Sequence, residues 1–203
     1  GVRLTRIIGS VEMNTVDPFL LFDSFESEQP NDYIGGFPNH PHRGFETVTY
    51  LLAGRLRHKD NAGHEGVIEP GGVQWMTAGR GIIHSEMPEQ KNGLLKGFQL
   101  WVNLPADAKM TAPKYQEFQS MEIPTETHKS GVKVKVISGR TDSGTEGLVK
   151  NKHTNPLFLD VNLINQTTYH QNVLKTHGVF VYVIKGSVHI GEERAKLSQR
   201  MLG

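Results

Sequence analysis

The sequence predicts an all-β chain arranged as two tandem β-barrels. Three observations carry that prediction. Short runs rich in β-branched and aromatic residues recur along the chain, 22 glycines and 10 prolines separate them, and nothing before Glu192 shows a sustained, capped helical period. Many short strands with frequent turn residues point to a sandwich or closed barrel. In order, the strand-length runs fall at 4–8, 19–25, 46–52, 72–76, 98–104, 132–138, 158–163, 178–184 and 188–190. The clearest is Val132-Lys133-Val134-Lys135-Val136, whose strict alternation reads as a strand with one wet face.

Between the early and late runs lies a stretch from Pro105 to Ser130 of different character. It holds Pro105, Pro113 and Pro124, many charges, and no apolar pattern beyond Tyr115 to Phe118. It divides an N-terminal barrel over 1–123 from a C-terminal barrel over 132–203, with 124–131 as the connector. A short internal repeat supports duplication. Tyr50-Leu51-Leu52-Ala53-Gly54-Arg55-Leu56 aligns with Tyr182-Val183-Ile184-Lys185-Gly186-Ser187-Val188, each a strand, a glycine turn and a second strand. After Ile190 only 191–203 follow, fewer residues than a second barrel needs, so that barrel is expected to be incomplete in this chain.

With 203 residues, 36% apolar and 21% charged, the chain can bury a core and is not of disordered composition. Lys and Arg number 22 against 21 Asp and Glu, a formal charge of +1, which gives no electrostatic reason to expect nucleic acid or a membrane surface as partner. No apolar run reaches membrane-spanning length and the first residues lack a signal-peptide core, so the expected location is cytoplasmic, or nuclear in a eukaryote. Cysteine is absent, so any metal site must use nitrogen and oxygen donors.

Such donors occur in two places. His40 and His42 are two apart, and an extended backbone points them to one side. His84 and Glu86 repeat that spacing just after the turn Gly79-Arg80-Gly81. Antiparallel strands can unite the two pairs as three imidazoles and one carboxylate, leaving coordination positions open. A first-row transition metal suits that set, and the donors alone do not separate iron, manganese, nickel, copper and zinc.

The run His40-Pro41-His42-Arg43-Gly44-Phe45-Glu46, followed by Tyr50 to Gly54, resembles the first cupin motif, and Gly79-Arg80-Gly81-Ile82-Ile83-His84 resembles the second, with departures in its usual Pro-x-Gly portion. More narrowly, Phe37-Pro38-Asn39-His40-Pro41-His42-Arg43-Gly44-Phe45-Glu46-Thr47-Val48 and the stretch from Gln74 to Pro88 resemble the pirin family, as do Asp17-Pro18-Phe19 and Leu100-Trp101-Val102-Asn103-Leu104. That resemblance implies a bicupin of jelly-roll-like barrels with one metal, usually iron, in the N-terminal barrel only. It places the ligands on His40, His42, His84 and Glu86. The second barrel is read as metal-free, since in the Tyr50/Tyr182 register Asn172, Leu174 and Gly178 stand where His40, His42 and Glu46 stand in the first. His170 and His177, seven apart, do not chelate from one strand.

Two functions follow from the resemblance. One is a quercetin 2,3-dioxygenase type of enzyme, with a flat aromatic substrate such as a flavonol, a divalent metal (iron foremost; manganese, nickel, cobalt, copper or zinc otherwise), and Glu86 as ligand and catalytic base. The other is an iron-dependent regulator that binds a transcription factor or a metabolic enzyme. Around the motif, Glu46 is read either as orienting an imidazole or as a solvated strand charge. Arg43 and Arg80 are read as partners for an anionic oxygen or as salt-bridge residues. Phe37 and Phe45 are placed at the cavity mouth or in the core, His58 on the surface and His64 in a loop. His128, His153 and His189 have no partner visible in sequence.

Overall fold

Alternation and glycine punctuation cut the chain into fifteen strands, and the computed structural model describes all of residues 1–203. The strands run β1 (Thr5–Ile8), β2 (Phe19–Ser27), β3 (Phe37–His42), β4 (Phe45–Ala53), β5 (Leu56–Asp60), β6 (Glu65–Ile68), β7 (Val73–Thr77) and β8 (Ile82–Pro88). They continue with β9 (Leu95–Asn103), β10 (Lys114–Phe118), β11 (Thr125–Thr127), β12 (Lys133–Ser138), β13 (Phe158–Asn162), β14 (Ser187–Ile190) and β15 (Ala195–Ser198). The only helical elements are two single 3-10 turns, Pro30–Asp32 and Ala106–Ala108. No helix is long and apolar enough to cross a membrane.

The chain divides into two compact units, Gly1–Asn172 and Val173–Gly203. In the first, a six-stranded sheet in the order β1-β2-β9-β4-β7-β10 accompanies a four-stranded sheet in the order β3-β8-β5-β6. Phe25, Leu51, Leu56, Ile68 and Leu95 come from both sheets and pack as one core with Tyr33. Burying each such side chain contributes about 1.5–3 kcal/mol. A second cluster, Met76, Ala78 and Ile82 with Tyr115 against it, closes the barrel near the β7–β8 turn. That turn depends on Gly79, which sits at φ +52°, where a Cβ would lie 2.1 Å from the Thr111 carbonyl oxygen. Any other side chain there would push the 108–111 segment away from the strand that carries His84.

The same unit holds a three-stranded sheet, β11-β12-β13. Val134 and Val136 of its central strand, with Val132 just before it, are buried against Leu159, Val161 and Tyr169, while Lys133 is exposed, as the alternating pattern requires. Tyr50 donates a hydrogen bond to Asp160 Oδ2 at 2.6 Å, and Lys135 Nζ donates to Ser120 Oγ at 2.7 Å, so this sheet is fastened to the barrel by polar contacts.

The second unit contains the β14-β15 hairpin and an isolated bridge between Tyr182 and Leu202. The strand expected over 178–184 is reduced to that bridge. The repeated turn keeps its backbone form in both copies, with Gly54 at φ +86° and Gly186 at φ +82°.

Candidate metal centre and cavity

Residues directly opposite in an antiparallel pair share a face, so the register decides what meets inside the barrel. On β3 and β8, His40 stands opposite His84, with His42 opposite Ile82. On β8 and β5, Glu86 stands opposite His58 and His84 opposite Asp60. His42, His84 and Glu86 are all buried, and His40 is partly exposed.

The three imidazoles converge. One ring nitrogen from each of His40, His42 and His84 lies within 4.8 Å of the others, and the Glu86 carboxylate stands outside that grouping. His40 Nδ1 donates to the Pro38 carbonyl oxygen at 2.7 Å, which fixes the tautomer and leaves Nε2 as a lone pair. That Nε2 faces His84 Nε2 at 3.1 Å. Both nitrogens of His42 and Nδ1 of His84 are buried without a hydrogen-bond partner. A buried, unsatisfied polar atom costs about 1–3 kcal/mol, a cost that a metal would relieve at one nitrogen of His42, and three converging imidazole nitrogens are a donor set that a borderline transition metal accepts. The donor set therefore fits a divalent metal ion.

Electrostatics agree. Burial, with His40 beside it, pushes the His42 imidazole down to about 4, and burial with His42 and His40 pushes His84 down to about 3. Both rings are thus neutral, the form that ligates, throughout the range around pH 7. Glu86 moves the other way: burial raises its pKa, against a hydrogen bond from Thr49 Oγ1 to its Oε1 at 2.8 Å.

These shifts predict a pH dependence of the metal-free fold. An imidazole whose folded pKa lies below its free value of about 6.5 contributes stability above that value and loses it as pH falls towards the folded pKa. At pH 5 one such ring withdraws on the order of 2 kcal/mol. Glu86 acts with the opposite sign, so a comparison isolates the rings. Urea unfolding of metal-free protein between pH 7 and pH 5 should show falling stability, and His84→Ala should flatten the slope. An unchanged slope in that variant would mean the ring is solvated.

A cavity of about 510 Å³ opens beside the cluster, lined by His40, His42 and Glu86 together with the aromatic rings of Phe25, Phe37 and Trp101. Phe37 reaches the cavity, whereas Phe45 stands behind it, stacked on Trp101 at 4.6 Å and edge-on to His42 at 5.2 Å. Neither Arg43 nor Arg80 lines it; both are exposed. The cation at the wall is Arg6, paired through two 3.0 Å hydrogen bonds with the buried carboxylate of Asp23.

Arg6 belongs to a larger feature. Pairing places Arg6 opposite Asp23, Asp23 opposite Gln99, Gln99 opposite Thr49, Thr49 opposite Gln74, and Gln74 opposite Glu117. Every strand of the six-stranded sheet thus supplies one polar residue to a single row across its inner face. The four-stranded sheet meets the row twice, through Glu86 on Thr49 and through His58, whose Nε2 lies 2.6 Å from Glu117 Oε2. Gly66 makes room for that second contact, since a Cβ there would lie 2.5 Å from His58 Nε2.

Two expectations need correction. His58 is not a surface residue; it is buried, because β5 turns Leu56, His58 and Asp60 inward and only Arg57 and Lys59 outward. Glu46 is neither solvated nor bonded to an imidazole. It is fully buried, accepts a 2.6 Å hydrogen bond from Thr77 opposite it on β7, and accepts others from Asn151 and Thr154, which anchors the 151–154 loop to the barrel. His64 does lie beyond β5, donating from Nδ1 to Asp60 Oδ2 at 2.9 Å, and His128 pairs with Glu126 at 3.0 Å.

A two-sheet β-barrel with a histidine trio at the edge of an aromatic-walled cavity defines a protein of the cupin class. Within it the relatives are specific. The family model for pirin matches residues 1–102, and a pirin-like protein of Caulobacter vibrioides is 54% identical over 95% of this chain and 70% of its own length. Human pirin is 48% identical over 97% of this chain and 65% of its own. The crystal structure of a quercetin 2,3-dioxygenase from Acinetobacter baumannii superposes with a TM-score of 0.88 at 32% identity, covering all of this chain and 72% of that one. The chain belongs to the pirin family.

Proposed function

We propose that this protein is a metal-dependent dioxygenase of the quercetin 2,3-dioxygenase type, with His40, His42, His84 and Glu86 as the ligand set. The observation that carries the reading is the convergence of three buried or half-buried imidazoles on the edge of a cavity with aromatic walls. The name borne by the Acinetobacter baumannii relative supports the same substrate class. When bound, a divalent transition metal, iron foremost, supplies a Lewis-acidic centre and the capacity to engage O2.

The chain's own residues supply the rest. Phe25, Phe37 and Trp101 offer flat apolar walls that suit a planar ring system, and about 510 Å³ is ample for a molecule of flavonol size. Glu86 borders the same cavity, so its carboxylate is placed to accept a hydroxyl proton from the substrate. Thr49 fixes one carboxylate oxygen, so the proton is received at the other. We also infer that residues 132–203 derive from the second, metal-free cupin unit of a tandem pair. The shared glycine-turn conformation supports that reading, as do Asn172, Leu174 and Gly178 at the positions matching His40, His42 and Glu46.

Elemental analysis of the purified protein, followed by an aerobic quercetin assay on the same sample, tests the function. About one metal per chain and a decaying flavonol absorbance are expected. Metal-loaded protein that leaves quercetin unchanged in air would refute the enzyme.

A further inference from the structure

Thr49 has one hydroxyl hydrogen and two neighbours placed as acceptors. Its Oγ1 lies 2.8 Å from Glu86 Oε1 and 2.6 Å from Gln99 Oε1. One hydrogen cannot serve both. The oxygen and nitrogen of an amide exchange places by a half-turn about the last side-chain bond, and the hydrogen-bond network decides between them. A carboxylate is the stronger acceptor, because a bond to a charged oxygen is roughly twice as strong as one to a neutral oxygen. Thr49 therefore donates to Glu86, and Gln99 turns its Nε2 to donate to Thr49 Oγ1. The amide oxygen is left for the cavity, which Gln99 lines.

Two residues further along β9, and so on the same face, Trp101 also lines the cavity. Its indole Nε1 is buried and has no partner. Its ring is held by the stack on Phe45 at 4.6 Å and the edge contact with His42 at 5.2 Å, so the N–H cannot swing out to water without breaking both. The buried N–H is thus closed off from the cavity, and the wall next to the histidines presents one fixed acceptor, Gln99 Oε1, beside the face of a rigidly held indole.

We propose that Gln99 determines substrate specificity. Gln99 Oε1 accepts a hydrogen bond from a substrate hydroxyl, and Thr49 holds the polarity of Gln99 by consuming its N–H side. The favoured substrate is a planar aromatic carrying hydroxyl groups beyond the one that meets the metal. This deepens the dioxygenase reading and rests on it.

The test is binding, measured without turnover on zinc-loaded protein under nitrogen by quenching of tryptophan fluorescence. Two probes share the hydroxyl–carbonyl pair but differ elsewhere: quercetin, with additional hydroxyls, and 3-hydroxyflavone, without them. The wild type should favour quercetin by about tenfold, the worth of one or two ordinary hydrogen bonds. Gln99→Met keeps the shape and removes both polar atoms, while Thr49→Val releases the amide to present either edge. Each should bring the preference to about twofold or less. A preference that survives in both Gln99→Met and Thr49→Val, with melting temperatures near wild type, would overturn the role of Gln99 alone. Zinc-loaded wild type that binds neither probe would instead remove the flavonol reading beneath it. Retained metal content in Gln99→Met separates loss of selectivity from damage to the metal centre.

Discussion

His42→Ala is expected to abolish metal binding and all metal-dependent turnover while leaving the metal-free fold nearly as stable as wild type. The two halves of that result have different causes. Partners that merely support a ligand typically cost about 10–100-fold in metal affinity when lost, so removing a ligand whose two nitrogens have no other partner should cost at least that much. The metal-free fold, by contrast, carries His42 at a loss: its ring is 4% exposed, unsatisfied at both nitrogens, and held neutral at a pKa of about 4. Alanine gives up packing against Phe45 and Trp101 but also removes that unsatisfied burial, and the two effects oppose each other. Thermal melting separates them without any substrate. Metal at 100 times its dissociation constant stabilises the folded state by about 2.7 kcal/mol, which for a domain of this size is roughly a 5–10 °C rise in melting temperature. Wild type should show that rise and His42→Ala should not. A variant that still gains several degrees on adding iron, nickel or zinc would place the metal elsewhere.

Most of the barrel's strands were legible because inward and outward residues alternate along them and glycines mark their ends. The histidine trio was legible because i, i+2 spacing on extended backbone is a local property, and both pairs lie within single strands. What sequence could not reveal depends on register. The inner polar row joins Arg6, Asp23, Gln99, Thr49, Gln74 and Glu117, residues separated by up to most of the first unit's length, and nothing local says that they face one another. Arg43 drew notice by following His42, yet extended backbone sends neighbouring side chains to opposite faces, so adjacency to an inward histidine argues for exposure, while Arg80 sits in the exposed turn between β7 and β8. The same rule would have corrected His58, since Leu56 is plainly inward and lies two residues before it. Glu46 could not be assigned in advance: its partners Asn151 and Thr154 lie more than a hundred residues away. The second unit was the least legible, because the strand expected over 178–184 depends on pairing partners that a local run of apolar residues does not specify.

Glu86→Gln should separate ligation from proton transfer, and its expected loss in turnover is at least about 100-fold. The substitution preserves size and lets the amide oxygen keep the 2.8 Å bond from Thr49, so the wall of the cavity stays in place. What disappears is a group able to take a proton. A positioned general base contributes about 10²–10⁴-fold, and no other carboxylate lines the cavity except Asp23, which is committed to Arg6. An independent reading comes from protons displaced when metal binds, measured by calorimetry in two buffers of different ionisation enthalpy. His42 and His84, with pKa values of about 4 and 3, are already neutral near pH 6 and release none. Burial raises the Glu86 pKa, and any proton that it holds must leave before it becomes a ligand, so Glu86 adds to the protons released on metal binding. Glu86→Gln should lower that release while still taking up metal more weakly through the three imidazoles. Proton release unaltered by the substitution would show that Glu86 does not join the metal, and undiminished turnover would show that it is not the base. The first outcome leaves a three-histidine centre with a neighbouring carboxylate, the arrangement that the 4.8 Å grouping of imidazoles alone describes.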